Sequence, residues 1–579
     1  MVDIQWLIGG EAGYGIMTVG HMMSKIFTRL GLSVFDYVEY PSLIRGGHNA
    51  YYVRASDVEI FSQKRKVDIL VALNREAIDR HRDELSKNAV VIFDPDVTKV
   101  KANECSLGVS LFPVPLLKLT KEAKADSLMI NTVSMGASLA LFHSDFGILQ
   151  DILNTAFAKK RKEVVLENVN TAKAGFDYTL KKFATNPPFH IKKKPQGNLL
   201  ISGAEAISLG AIRAGLKFAA IYPMTPINGI LTTLAANALK YNIIIKEPED
   251  EIAGINMAIG ASFTGVRSLV ATSGGGFALM TEALGLSSQT ETPLVIVEGM
   301  RPGPSTGMAT WTEQGDLRFV LHASQGDFPR IVIAPGDMFE AFTQTMQAFN
   351  LAEKYQLPVI ILVDKYLMES HATVQNSKLK VQSGQFKLER GKRLLGEEVE
   401  ARTDYKRYQF TDDGVSPRSL PGQKGGIALS DSYEHNEQGL YSEEAETRIK
   451  MMDKRFRKLE VAIADIPSPI LHGEKEANLT ILGFGSTKMP VLEAMRLLKQ
   501  ERILVNFLHI SYLNPFPTKT VSAVIKKAQK TLVVEGNKTG QFEGLMREYT
   551  GLSLGAHLRK YDGRPFYPEE IIKKVKSLL

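Results

Sequence analysis

The chain has 579 residues, 44% of them hydrophobic and 23% charged, which is too long for one domain and ordinary for a soluble globular protein. Its 70 basic and 63 acidic side chains leave a net charge of +7, too small an excess to argue for a nucleic-acid partner. The one cysteine, Cys105, excludes an internal disulfide and leaves too few thiolates for an iron–sulfur cluster within the chain.

The first strand reads DIQWLIGG and passes through Gly10, Gly13 and Gly15 into an amphipathic helix, a βα unit. The glycines depart from the G-x-G-x-x-G order, and no acidic residue closes a second strand about 20 residues on. A helix-packing turn therefore competes with a phosphate site. Strands follow at VDILVAL (67–73) and NAVVIFDP (88–95), and alternation with helices continues to about residue 185, one α/β domain over 1–186. The proline- and lysine-rich stretch around HIKKKP reads as a linker at 187–197. A second α/β domain, 198–375, carries FAAIYPMTP, RSLVATSGGG, PLVIVEGM, RIVIAPGD and LPVIILVD. These near-continuous β-branched runs suit a parallel sheet covered on both faces. Over 376–468 the pattern gives way to loop and one charged amphipathic helix, SEEAETRIKMMDKRFRKLEVAI. A third α/β unit, 469–579, begins at NLTILGFGS. The expected fold class is thus α/β, with three parallel-sheet domains. No apolar run approaches the ~20 residues of a membrane helix, and the N-terminus lacks the pattern of a secretion signal. Both points suggest a cytoplasmic protein without a membrane.

The stretch EPEDEIAGINMAIGASFTG (247–265) places Glu247, Glu249, Asp250 and Glu251 at a helix start. Acids there gain about 0.3–1 kcal/mol each from the helix dipole, and Asp250 suits the N-cap. The small residues that follow, Ala253, Gly254, Ala258, Gly260 and Ala261, admit a close backbone or a flat ligand.

Several longer motifs resemble one family. AIYPMTPINGI (220–230), TSGGGFALMTEALGLSSQTETPLVIV (272–297) and RPGPSTGMATWTEQGDL (301–317) are similar to alpha-subunit segments of 2-oxoacid:ferredoxin oxidoreductases. EYPSLIRGGHNAYYVRAS (39–56) resembles a loop of their gamma subunits. DDGVSPRSLPG and EAETRIKMMDKRFRKLE look like 2-oxoglutarate-type alpha subunits, and VVEGNKTGQFEGLMR (533–547) resembles a transketolase C-terminal-type domain. The resemblance covers nearly the whole chain, with a gamma-like domain ahead of a domain that binds the pyrimidine of thiamine diphosphate (TPP).

The resemblance implies roles for particular residues. Glu251 would hydrogen-bond the aminopyrimidine ring of TPP, beside the turn of Tyr222, Pro223 and Thr225. Thr225 would face the substrate, although a strand-to-helix turn with Thr225 as N-cap also explains that residue. Arg45 is a candidate for pairing with a substrate or coenzyme A anion, and His48 reads as structural. Trp311 stands where relatives commonly carry a basic residue for the 2-oxoacid carboxylate. Arg301 and Arg318 are the nearby alternatives.

The chain has no G-D-G followed by asparagine, so no metal is assigned to it. The family pattern then implies a half-site. A beta subunit would hold the diphosphate, Mg²⁺ and a [4Fe-4S] cluster, with coenzyme A as cosubstrate, ferredoxin as acceptor and an (αβ)₂ heterotetramer. 2-Oxoglutarate is the first substrate expected. The alternatives are a subunit of another TPP enzyme, or a non-enzymatic nucleotide-binding protein built on the first glycine-rich unit.

Overall fold

Three β-sheets, of eight, seven and five strands, organise the chain. The computed structural model describes residues 2–43, 46–101, 104–105, 108–183, 189, 191–195 and 197–579. It divides into two units: Met1–Ile201 with Ser370–Leu379 and Tyr567–Glu570, and Ser202–Glu369 with Lys380–Phe566 and Ile571–Leu579. No helix among the described residues is long and apolar enough to cross a membrane.

In the first unit the eight-stranded sheet runs in the order Ser110–Pro113, Leu85–Phe93, Val67–Ala72, Asp3–Glu11, His48–Ser56, Ser33–Glu39, His371–Gln375, Asn198–Ser202. The pairings from Ser110–Pro113 to Asp3–Glu11 are parallel. Those from Asp3–Glu11 through His48–Ser56 and Ser33–Glu39 to His371–Gln375 are antiparallel. The parallel pairings match the α/β reading of this section, and the antiparallel ones make its sheet a mixed one. The antiparallel strands escape a hydrophobicity reading because they bury charge. Asp36, 1% exposed, accepts from Ser24 and Tyr51 at 2.8 Å each and from the backbone and ring of His371 at 2.7 and 3.0 Å. Arg54, equally buried, pairs with Asp3. Although His21, Asp36 and His371 bring ligand atoms within 4.8 Å of one another, the carboxylate is already filled with donors. It serves as a latch for the His371–Gln375 strand. Gly15 N-caps the helix Ile16–Arg29, and Asn131 packs into the glycine turn, donating to the Tyr14 carbonyl at 2.7 Å.

In the second unit the seven-stranded sheet has the order Tyr512–Asn514, Ile331–Ile333, Pro358–Asp364, Leu294–Met300, Ser268–Ser273, Phe218–Ala220, Ile244–Lys246. All its pairings are parallel except the first. The five-stranded sheet follows as Ile470–His472, Val505–His509, Leu479–Gly483, Thr531–Glu535, Ala556–Arg559, parallel but for its first pair. The edge strand Tyr512–Asn514 comes from the C-terminal section, and one apolar core joins both sheets, from Val270 and Ile296 to Leu482, Leu508 and Leu545. Between them, the helix Ala445–Ala462 is clamped to the body by Lys454 and Lys458, both on the fully buried Glu291. Burial alone would raise the Glu291 pKa; the two lysines outweigh it and hold the carboxyl below its ordinary value.

Candidate active site

Glu251 is the one buried member of its acid run. Asp250 N-caps the helix Glu251–Phe263, its carboxylate accepting from the Ala253 N–H at 2.8 Å. With the cap filled, Glu251 turns inward and is 3% exposed. The Thr272 hydroxyl, at the end of the strand Ser268–Ser273, donates to its Oε1 at 3.4 Å. The next helix, Gly274–Gln289, opens with three glycines. A methyl group on Gly276 would stand 2.3 Å from Glu251 Oε1 and 2.0 Å from Thr272 Oγ1, whereas one on Gly275 would meet open space. The glycine turn is therefore a cradle: its backbone comes against a buried carboxylate with acceptor capacity to spare.

The turn 222–227 lies at the same end of the sheet. Tyr222 and Pro223 are exposed and Thr225 is half-buried. The helix after it starts at Asn228 with Ile227 as N-cap and no side-chain cap, so Thr225 does not cap it. The Thr225 carbonyl accepts from the Arg301 guanidinium at 3.0 Å, and the Ser273 hydroxyl meets the Met224 sulfur. Glu251, Thr272, Ser273, the 222–227 turn and Arg301 are thus brought together at the ends of three adjacent strands, Phe218–Ala220, Ser268–Ser273 and Leu294–Met300.

Trp311 is half-buried, with the Arg564 guanidinium carbon 3.4 Å from its ring centroid, a cation–π contact. A positive charge therefore does stand at this position, supplied by the C-terminal section. Arg318 is engaged by Glu548 at 2.6 Å. His48 pairs through Nε2 with His81 Nε2 at 2.7 Å in the first unit. Arg45 lies outside the described residues.

Reading the sequence for chemistry overlooked a set of acids beside this site. Glu298, in the strand Leu294–Met300, is fully buried and pairs in register with Thr272. Burial, then Asp316 and Asp364, push its carboxyl well above the ordinary range. Burial also raises Asp316, against the opposing pull of Arg301. Burial and then Asp316 raise Glu313 to about 7, and burial raises Asp364 to about 6. The only signal in the sequence was a lone acid inside an apolar run, VIVEGM. Glu313, Asp364, Ser486, Lys560 and Arg564 help line a small cleft, which neither Glu251 nor Thr225 reaches. The loop carrying Glu313 and Asp316 is tied to the C-terminal sheet: Gln314 exchanges hydrogen bonds with Gly536, and Gln541 donates to the Gly315 carbonyl.

Comparison with known proteins accounts for this arrangement. The pyruvate flavodoxin/ferredoxin oxidoreductase model for thiamine-diphosphate binding matches residues 209–454. Pyruvate ferredoxin/flavodoxin oxidoreductase and core-domain-II models match 5–178 and 477–571. Subunit alpha of 2-oxoacid:ferredoxin oxidoreductase 2 from Aeropyrum pernix is 33% identical, the match covering 100% of this chain and 98% of the relative. The chain belongs to the 2-oxoacid:ferredoxin oxidoreductase alpha subunits. A 2-oxoglutarate oxidoreductase subunit from Mycobacterium tuberculosis is 27% identical over 98% of this alpha subunit and 90% of its own length. The solved 2-oxoglutarate:ferredoxin oxidoreductase of Magnetococcus marinus, with 2-oxoglutarate, coenzyme A and succinyl-CoA bound, superposes at a TM-score of 0.91. It is 32% identical and covers 100% of this chain and 99% of that one. The TPP-binding domain of this alpha subunit thus includes Glu251 and the glycine cradle.

Proposed function

We propose that this alpha subunit converts 2-oxoglutarate and coenzyme A to succinyl-CoA and CO₂ with reduction of ferredoxin, and that it does so with a beta subunit. In this reading the alpha chain covers the aminopyrimidine half of TPP. The beta chain holds the diphosphate, Mg²⁺ and a [4Fe-4S] cluster, which the single cysteine here cannot ligate. The assembly is an (αβ)₂ heterotetramer in the cytoplasm. The observation that carries the reading is the buried Glu251 carboxylate against Gly276.

Bound TPP supplies the electron sink for loss of CO₂ from a 2-oxoacid. The protein's part is to orient and to exclude water. Glu251 offers a fixed, desolvated acceptor to a ring nitrogen, where a charge-assisted hydrogen bond is strong. Thr272 holds the carboxylate in place, and Gly276 leaves the room that this placement needs. Arg301 sets the 222–227 turn, so that Thr225 can meet the substrate, with Tyr222 and Pro223 along the cofactor edge. The guanidinium of Arg564 on Trp311 supplies a counter-charge suited to the second carboxylate of 2-oxoglutarate. Arg45 is assigned to the coenzyme A or substrate anion.

Co-purification tests the assembly: a smaller partner with iron–sulfur absorbance is expected to accompany the chain, and its absence would end the half-site reading. With the partner present, Glu251→Gln is expected to bind TPP but lose most turnover. Retained turnover would remove Glu251 from the mechanism. Activity on 2-oxoglutarate, pyruvate and branched 2-oxoacids in parallel tests the substrate.

A further inference from the structure

Both carboxylate oxygens of Glu298 are buried and receive no donor among the described residues. The group within hydrogen-bond reach is another carboxyl, that of Asp316. Two carboxylates cannot donate to each other. The contact becomes a hydrogen bond only when one of them carries a proton, and a like-charged buried pair of this kind is expected to share one.

The surroundings decide where that proton rests. Asp316 lies against the first residue of the helix Gly274–Gln289: a methyl on Gly274 would stand 2.4 Å from its Oδ2. The positive end of a helix favours an anion, and Arg301 adds its attraction. Glu298 has neither. The other acids facing the pair, Asp364 from the strand Pro358–Asp364 and Glu313 from the same loop, add only repulsion. Glu251 stands against Gly276 of the same turn, two residues along from the Gly274 that Asp316 touches.

We propose that Glu298 and Asp316 hold one proton between them, with Glu298 as the neutral acid. In this arrangement the pair positions Arg301, and through it the Thr225 turn, for the carboxylate of the substrate. Asp316 attracts the guanidinium electrostatically; Arg301 in turn donates to the Thr225 carbonyl at 3.0 Å. Without the Glu298 proton, Asp316 would face a second buried anion and the balance that holds Arg301 would change. Glu298 and Asp316 are positioning residues in this scheme. The shared proton is independent of the activity, whereas the link to a substrate carboxylate rests on the function proposed above.

Infrared spectroscopy of the full chain, without any partner, tests the proton. At about pH 9, above Glu313 and Asp364, wild type is expected to show the C=O stretch of a neutral carboxylic acid. The difference spectrum against Glu298→Gln should contain that band. A difference spectrum that shows loss of a carboxylate band instead would overturn the proposal. Titration of wild type alone reads the same point if the variant folds poorly.

The positioning role is read in the assembled enzyme. Glu298→Leu, which leaves Asp316 without a donor, is expected to raise KM for the 2-oxoacid about tenfold, more than it lowers kcat. Glu298→Gln, a neutral donor of the same shape, should restore most of that loss. Equal defects in the two variants would refute the role. If the wild-type assembly turns over no 2-oxoacid, the functional reading fails while the infrared result still decides the proton.

Discussion

Replacing Gly276 with alanine tests the cradle directly. The new methyl carbon would lie 2.3 Å from Glu251 Oε1 and 2.0 Å from Thr272 Oγ1, against a van der Waals contact of about 3.5 Å. Something must move by about 1 Å or more. The helix cannot withdraw, because the next residue, Phe277, is fully buried. The Glu251 carboxyl is the group that yields. Displacing a positioned group by about 1 Å costs on the order of 10²-fold in rate. Overpacking costs about 1–3 kcal/mol, partly offset by about 1 kcal/mol of improved helix propensity. The expected Gly276→Ala enzyme therefore stays folded, destabilised by about 0–2 kcal/mol, and loses about 99% of its turnover. The assay is 2-oxoacid- and CoA-dependent reduction of ferredoxin by the chain assembled with its beta partner, with thermal unfolding alongside. A variant that melts close to wild type and keeps kcat within about threefold would refute the claim that Gly276 is there to seat Glu251.

Four further outcomes can be checked. Glu291→Gln leaves two buried lysines against a neutral group and is expected to destabilise the chain by about 3–5 kcal/mol in denaturant unfolding. Gly260→Ala, in the helix Glu251–Phe263 with open space beside it, should stabilise by about 0.4–1 kcal/mol. Glu313 and Asp364 have carboxyls raised to about 7 and about 6. The folded chain thus binds more protons than the unfolded one between their ordinary values and these. Their contribution to stability is present below that window and is lost as pH rises through it, and Glu313→Gln should flatten the fall in a series of melts. Trp311→Leu removes a cation–π contact of about 0.5–1 kcal/mol. If Arg564 meets a second carboxylate, KM should rise for 2-oxoglutarate but not for pyruvate.

Much of the second unit was legible because its parallel strands are long apolar runs and its turns carry glycine and proline. Asp250 was readable as a cap from position alone, and its neighbour Glu251 only through the family motif; burial distinguishes the two. What escaped notice shares one physical cause. Asp36, Arg54 and Glu298 are polar groups inside strands; Asp36 and Arg54 are compensated by partners distant in sequence, and a window of neighbouring residues shows neither those partners nor the buried surroundings of Glu298. The contact of Arg564 with Trp311 joins residues 253 positions apart in the same way. It supplies a charge that the local motif lacks.

The strand Tyr512–Asn514 closes the edge of the seven-stranded sheet, although it belongs to the C-terminal section. That makes the section a structural ground for the site. The loop 301–317 is fastened to it at Gln314 and Gly315, so the segment bearing Arg301, Trp311 and Asp316 cannot swing with the seven-stranded sheet alone. An engineered split of this polypeptide before residue 469 would therefore cost more than a tail. It would strip one sheet of its border and release the loop on which substrate choice is proposed to depend.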